Sequence, residues 1–148
     1  MKVREVMSAT VDTIDAATTI ATAARRMADD DIGAFPILAD GRLVGMLTDR
    51  DIAVRAVAED IPSYAPVRRI MSTDVETCAP DDDIGTVLAL MAREQIRRMP
   101  VCSAVEDVVG IISIADAAKE APDKKDVTQT LAEISTPHGF HCQAGLFV

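Results

Sequence analysis

Two stretches of this chain place a hydroxyl residue three positions ahead of a carboxylate. They are Gly45-Met46-Leu47-Thr48-Asp49-Arg50-Asp51 and Gly110-Ile111-Ile112-Ser113-Ile114-Ala115-Asp116. Each reads glycine, two apolar residues, a hydroxyl residue, two variable residues, aspartate. A carboxylate that accepts from both hydroxyls of a sugar makes charge-assisted hydrogen bonds worth roughly 1.5–3 kcal/mol each. Asp51 and Asp116 are candidates for that task, with Thr48 and Ser113 one helical turn earlier. A helix starting there would also aim backbone N–H groups at the same point, which suits phosphate. The same pattern at a strand-to-helix junction matches a capping box, in which the hydroxyl caps and the acid reaches back. The two roles are compatible, and both remain open from the residues alone.

The elements that would position these acids are written twice. Val3 to Pro36 aligns with Val67 to Pro100 at a constant offset of 64 (71 − 7), pairing Met7 with Met71, Ser8 with Ser72 and Ile20 with Ile84. One inserted residue makes the offset 65 (110 − 45) at the two motifs. Such periodicity sets the architecture before any local reading. Each copy opens with Val-x-x-Met-Ser and an extended stretch, 10–14 or 74–78. A helix follows, with Ile20, Ala23, Ala24 and Met27 at i, i+3, i+4, i+7, and Ile84, Val87, Leu88 and Met91 repeating that spacing. Thr18/Thr19 and Asp81/Asp82 are the expected caps. Strands at 35–38 and 99–102 then return through turns to strands at 43–47 and 108–112. Asp40-Gly41 is the hairpin signal of the first copy; the second uses the glycine-free stretch 104–107. Helices at 51–59 and 116–120 close the copies. The expected fold is α/β (α+β): two β-α-β-β-α repeats, 1–60 and 61–120, then a C-terminal segment, 121–148. That segment holds a short helix at 127–134 and a tail from Thr136. Pro62, Ser63 and Pro66 mark 59–66 as a linker.

Bulk properties narrow the function classes. Hydrophobic residues make up 49% and aromatics 3%, so the core must be Ala, Val, Ile, Leu and Met. No apolar run approaches the ~18 residues of a membrane helix, and the charged start Met1-Lys2-Val3-Arg4-Glu5 is unlike a signal peptide. The expectation is a cytoplasmic protein with no membrane partner. A net charge of −9 argues against a nucleic-acid partner. Catalysis has little support: both histidines lie in the tail, no phosphate loop of the G-x-x-x-x-G-K-[ST] type occurs, and no nucleophile sits beside an obvious base.

The doubled order, the Val-x-x-Met-Ser opening and the Gly-h-h-[Thr/Ser]-x-x-Asp ending resemble CBS domains, the family named after cystathionine β-synthase. The resemblance runs from about Val3 to Lys119. It implies that the two repeats pack as an intramolecular pseudo-twofold pair with clefts between them. In that family such clefts bind adenosine-containing ligands: AMP, ADP, ATP, S-adenosylmethionine or NAD(H). Carried onto this sequence, the binding residues are Thr13, Ile14, Ala34, Phe35, Pro36, Thr48, Arg50 and Asp51 in the first copy. In the second they are Thr77, Cys78, Arg98, Met99, Pro100, Ser113 and Asp116. The resemblance further implies a regulatory module that requires no cofactor, takes an adenine nucleotide as regulatory ligand, pairs as a homodimer and signals to a protein target. The alternative is a ligand-free interaction or stress-response module, redox-sensitive through Cys78 and Cys102. Arg97-Arg98 before the second strand inclines phosphate-bearing ligands toward the second copy, since arginine suits phosphate.

Cys78, Cys102 and Cys142 form no C-x-x-C pair, which fits a reducing compartment. Cys78 and Cys102 align with Ile14 and Leu38 and read first as small buried hydrophobes. His138, His141 and Cys142 are too few to make a metal site without a fourth ligand, so no metal is expected.

Overall fold

The computed structural model describes residues 1–120 and 124–136. The predicted tail from 137 onward, with His138, His141 and Cys142, lies outside them.

The described chain divides into two compact units, and their borders do not follow the repeats. One unit is Asp12–Val75; the other joins Met1–Val11 to the residues from Glu76 onward. Each opening segment therefore packs with the body of the other copy. In the first of these units, β1 (Ile14–Asp15) lies parallel to β2 (Ala34–Ala39), which pairs antiparallel with β3 (Arg42–Thr48). The opening segment of the second copy adds to the far side of β3: Met46 N–H donates to the Ser72 carbonyl and Ser72 N–H to that of Met46, both at 2.9 Å. The other unit repeats this plan. There β4 (Arg98–Ala104) pairs with β5 (Asp107–Ser113). Cys78 bridges to Val101 in parallel on one side, and Ser8 bridges to Ile111 on the other. Even the bulges correspond, falling after Ile37 in β2 and after Val101 in β4.

The helices follow their apolar stripes. Helix α1 (Ile20–Asp30) buries Ile20, Ala23 and Met27, and Thr19 Oγ1 accepts from Thr22 N–H as its cap. Helix α3 (Ile84–Glu94) buries Ile84, Val87, Leu88, Met91 and Ala92. Its cap is Asp83, whose Oδ1 accepts from the Gly85 and Thr86 N–H groups, and not Asp81 or Asp82 as the spacing suggested. Asp82 instead accepts from Ala79 N–H, and Asp81 pairs with Lys2 and Arg4. The Asp40-Gly41 turn has φ of +51° and +76°, the two positive values a tight hairpin needs.

The extended stretches are shorter than expected. Only Ile14–Asp15 forms a strand in the first copy, and in the second only Cys78 makes a bridge. The helix after the first motif is also irregular: α2 covers Asp49–Asp51 and runs into a π-helical stretch, Ile52–Val57. Its counterpart α4 (Ile114–Glu120) is regular, and α5 (Lys124–Ser135) follows with Val127, Thr130 and Ile134 buried. Gln95 ties α3 to α5, its Nε2 donating to the Ala92 and Glu133 carbonyls. The segment read as a linker is bonded into its unit: Ala65 is buried, and Ile20 and Ala21 N–H donate to the Ala65 and Ser63 carbonyls, each at 2.9 Å.

Two apolar clusters hold these units. Ile14, Ile20, Phe35, Ile37, Leu47, Val67 and Ile70 lead one. Val3, Leu88, Met91, Ile96, Met99, Val101 and Ile112 lead the other.

Candidate functional site

Each group of expected binding residues falls within a single unit. Thr13 through Asp51 lies in one, and Thr77 through Asp116 in the other. The strand registers bring the members of each group together. Ala34 stands opposite Thr48, Phe35 opposite Leu47 and Pro36 opposite Met46. In the second group Arg98 stands opposite Ser113, Met99 opposite Ile112 and Pro100 opposite Ile111.

Both hydroxyl-acid pairs form complete capping boxes. In the first, Asp51 N–H donates to Thr48 Oγ1 at 3.1 Å and Thr48 N–H donates to Asp51 Oδ2 at 2.9 Å. In the second, Asp116 N–H donates to Ser113 Oγ at 3.1 Å and Ser113 N–H donates to Asp116 Oδ2 at 2.9 Å. Ser113 Oγ adds a 2.6 Å bond to the same carboxylate oxygen. Part of the N–H array that would face phosphate is thus taken by the motif's own hydroxyl.

Beyond the caps the two acids differ. Asp51 is only 6% exposed, and Arg55 one turn later sets its Nε 3.8 Å from Asp51 Oδ1. Arg55 Nη1 also donates to the Ile70 and Met71 carbonyls at 3.2 and 3.1 Å, while its Nε and Nη2 are buried without hydrogen-bond partners. Burial pushes the Asp51 carboxyl above its ordinary range, against the opposing pull of the Thr48 hydrogen bonds and the Arg55 charge. Asp116 is half-buried, and the position equivalent to Arg55 is the exposed Glu120. Arg55 is the site residue that the motif reading missed; its i, i+4 spacing from Asp51 was the available signal.

The raised Asp51 pKa has a defined sign. Between 3.8, its ordinary value, and the higher folded value, the folded chain holds the proton and the unfolded chain does not. Stability from this group therefore falls as pH rises through that window. The stability of the native chain relative to Asp51→Asn is expected to grow as pH is lowered from 7 toward 4, measured by urea unfolding. A difference that does not change with pH would show that Asp51 titrates as an ordinary carboxylate.

Of the expected adenine walls, Ile14 and Phe35 belong to one core cluster, and Cys78 and Met99 to the other. Phe35 is fully buried beneath the Arg26 guanidinium, 5.1 Å from the ring centroid. Arg26 Nη1 donates to the Thr13 carbonyl at 2.9 Å, fixing the entry to β1. Cys78 N–H donates to the Pro100 carbonyl at 3.2 Å, and its own carbonyl accepts from Cys102 N–H at 2.8 Å. Both thiols are free. Burial pushes the Cys78 thiol up to about 12 and raises Cys102 as well, so neither thiol is primed as a nucleophile.

A shallow depression of about 380 Å³ lies apart from these walls, lined by Met27, Asp31, Ile32, Gly33, Asp49 and Ile52 among others. It touches the first motif only through Asp49. Among the described residues, no group of three or more His, Cys, Asp or Glu side chains is placed to hold a metal ion. No helix among them is long and apolar enough to cross a membrane.

Comparison with known proteins gives a consistent picture. The family model for the CBS domain matches twice, at residues 3–57 and 67–123. The CBS domain-containing protein YhcV of Bacillus subtilis is 35% identical over 133 residues, covering 90% of this chain and 94% of that protein. Hypoxic response protein 1 of Mycobacterium tuberculosis is 35% identical over 136 residues, covering 90% of this chain and 94% of its own length. A crystal structure of Hypoxic Response Protein I, with two coordinated zinc ions, superposes with a TM-score of 0.75 and covers 82% of this chain and 100% of that one. The CBS domain pair of protein MJ0100, in complex with 5′-methylthioadenosine and S-adenosyl-L-methionine, is 28% identical with a TM-score of 0.73. It covers 80% of this chain and 94% of that one.

Proposed function

The chain belongs to the CBS domain family, and on that premise we propose that it is a cytoplasmic regulatory module that binds an adenosine-containing ligand and signals to a protein target. Its work is recognition, not catalysis. The binding site is built on Thr77, Cys78, Arg98, Met99, Pro100, Ser113 and Asp116, with Asp116 accepting from the ribose hydroxyls. The observation that carries this reading is the Asp116 carboxylate itself, held by Ser113 in a fixed orientation yet half-buried and not matched with an arginine one turn on. The complex of the MJ0100 CBS pair with two adenosine derivatives supports the ligand class.

Ligand acts by binding one conformation more tightly than another. A module that pairs as a homodimer would pass that preference across its interface to the target. A thermal-shift series with AMP, ATP, NADH and S-adenosylmethionine tests the reading, because a binder's melting temperature rises with ligand concentration. Asp116→Ala is expected to weaken binding of the responding nucleotide roughly ten- to a hundredfold by titration calorimetry. Unchanged affinity would remove Asp116 from the site. Absence of a shift with every nucleotide would favour the ligand-free interaction module.

A further inference from the structure

The two motifs share one plan and differ in what surrounds it. In the first, the Arg55 guanidinium stands 3.8 Å from Asp51 Oδ1 and is itself held by the Ile70 and Met71 carbonyls, so a ribose would compete with it for the acid. Asp51 is only 6% exposed, accepts from Thr48 N–H through Oδ2 and faces the Arg55 guanidinium through Oδ1, so a diol would meet little open surface there and a competing cation. In the second, Glu120 replaces the arginine, and Asp116 keeps partial access to solvent.

The strand facing each motif differs as well. Asp49 N–H donates to the Gly33 carbonyl and Ile114 N–H to the Arg97 carbonyl, both at 3.1 Å, so Gly33-Ala34 and Arg97-Arg98 occupy matching places. Ala34 lies across from Thr48, and Arg98 across from Ser113. Two exposed arginines thus occupy the backbone positions facing the second motif where the first has a glycine and an alanine. The first motif has its own arginine, Arg50, but Asp49 adjoins it and Asp31 lines the neighbouring depression. A phosphate dianion would meet carboxylates there and arginines at the second motif. Arginine binds phosphate through paired, charge-assisted hydrogen bonds.

We infer that the second motif is the chain's single nucleotide site, that it selects a phosphorylated adenosine over the bare nucleoside through Arg97 and Arg98, and that Asp51 serves the fold. The inference rests on the adenosine reading above and narrows it to one motif and one ligand class.

Titration calorimetry of the full chain with AMP and with adenosine tests it. The expected result is one site per chain, with AMP bound at least roughly tenfold more tightly than adenosine. Arg97→Ala/Arg98→Ala is expected to bring that ratio close to one, and Asp116→Asn to weaken both ligands at least roughly tenfold while its melting curve confirms folding. Two sites per chain, undiminished AMP affinity in Asp116→Asn, or a ratio that ignores the arginines would overturn the inference and leave adenosine recognition standing. If neither ligand, nor ATP, NADH or S-adenosylmethionine, produces heat or a thermal shift, the adenosine reading itself fails and takes the inference with it.

Discussion

Asp51→Ala is expected to lower the stability of the chain by about 3 kcal/mol, a large fraction of the roughly 5–15 kcal/mol that holds a domain folded. Two losses combine. The reciprocal half of the capping box goes, since Thr48 N–H loses its acceptor, and losing such a hydrogen bond costs about 0.5–1.5 kcal/mol. The Arg55 guanidinium is then left buried without its counter-charge, with two of its nitrogens already lacking hydrogen-bond partners. An uncompensated buried charge costs more than the pair contributed when intact. The double variant Asp51→Ala/Arg55→Met should therefore lose much less than the sum of the single changes, with a coupling above about 1 kcal/mol in urea unfolding. Additive effects would mean that Arg55 reaches water once Asp51 is gone, and the ion pair would then be incidental. Asp116→Ala, with no arginine stranded beside it, should cost only its hydrogen bonds from Ser113.

How far these differences were legible beforehand depends on the range of the physics involved. The repeats, the Asp40-Gly41 hairpin and a hydroxyl cap at Thr18 or Thr19 were readable because each is local, and the structure selects Thr19 of the two. The shift of the α3 cap from Asp81 or Asp82 to Asp83 was not readable. Three consecutive aspartates offer the same chemistry, and the choice among them is made by distant partners, Lys2 and Arg4 for Asp81. The exchange of opening segments was hidden for a similar reason. Met7-Ser8 and Met71-Ser72 are nearly the same words, so a periodic alignment cannot tell which body each joins. Backbone pairing decides it: Ser8 with Ile111, and Ser72 with Met46. The two motifs also looked equivalent by pattern, and they diverge through Arg55, four residues beyond the pattern's end. The sugar-binding and capping readings of the motif acids began as alternatives. The caps are present in both copies, and what separates the copies is the exposure of the acid and the arginine beside Asp51.

The exchanged segments explain the glycine that opens each motif, and they set the second large prediction. A β-carbon on Gly45 would stand 2.7 Å from the Ser72 carbonyl oxygen and 2.7 Å from Met71 Sδ. One on Gly110 would stand 2.6 Å from Met7 Sδ but 3.1 Å from the Ser8 carbonyl oxygen. Side chains can swing away, whereas a carbonyl bonded into a sheet cannot move without breaking its pairing. Gly45→Ala is thus expected to cost about 2–3 kcal/mol, the upper part of the overpacking range. Gly110→Ala should cost about 1 kcal/mol. Each kcal/mol corresponds to roughly 2–4 °C in melting temperature for a chain near this size. A second substitution separates the causes. Trimming the methionine in Gly110→Ala/Met7→Ala should return part of the lost stability, because the methionine sulfur is the main obstacle there. Gly45→Ala/Met71→Ala should return none, because the Ser72 carbonyl still blocks the added methyl. Equal rescue at both sites, measured by thermal and urea unfolding, would mean that the Ser72 segment yields as easily as a side chain and that its pairing with Met46 contributes little to the fold.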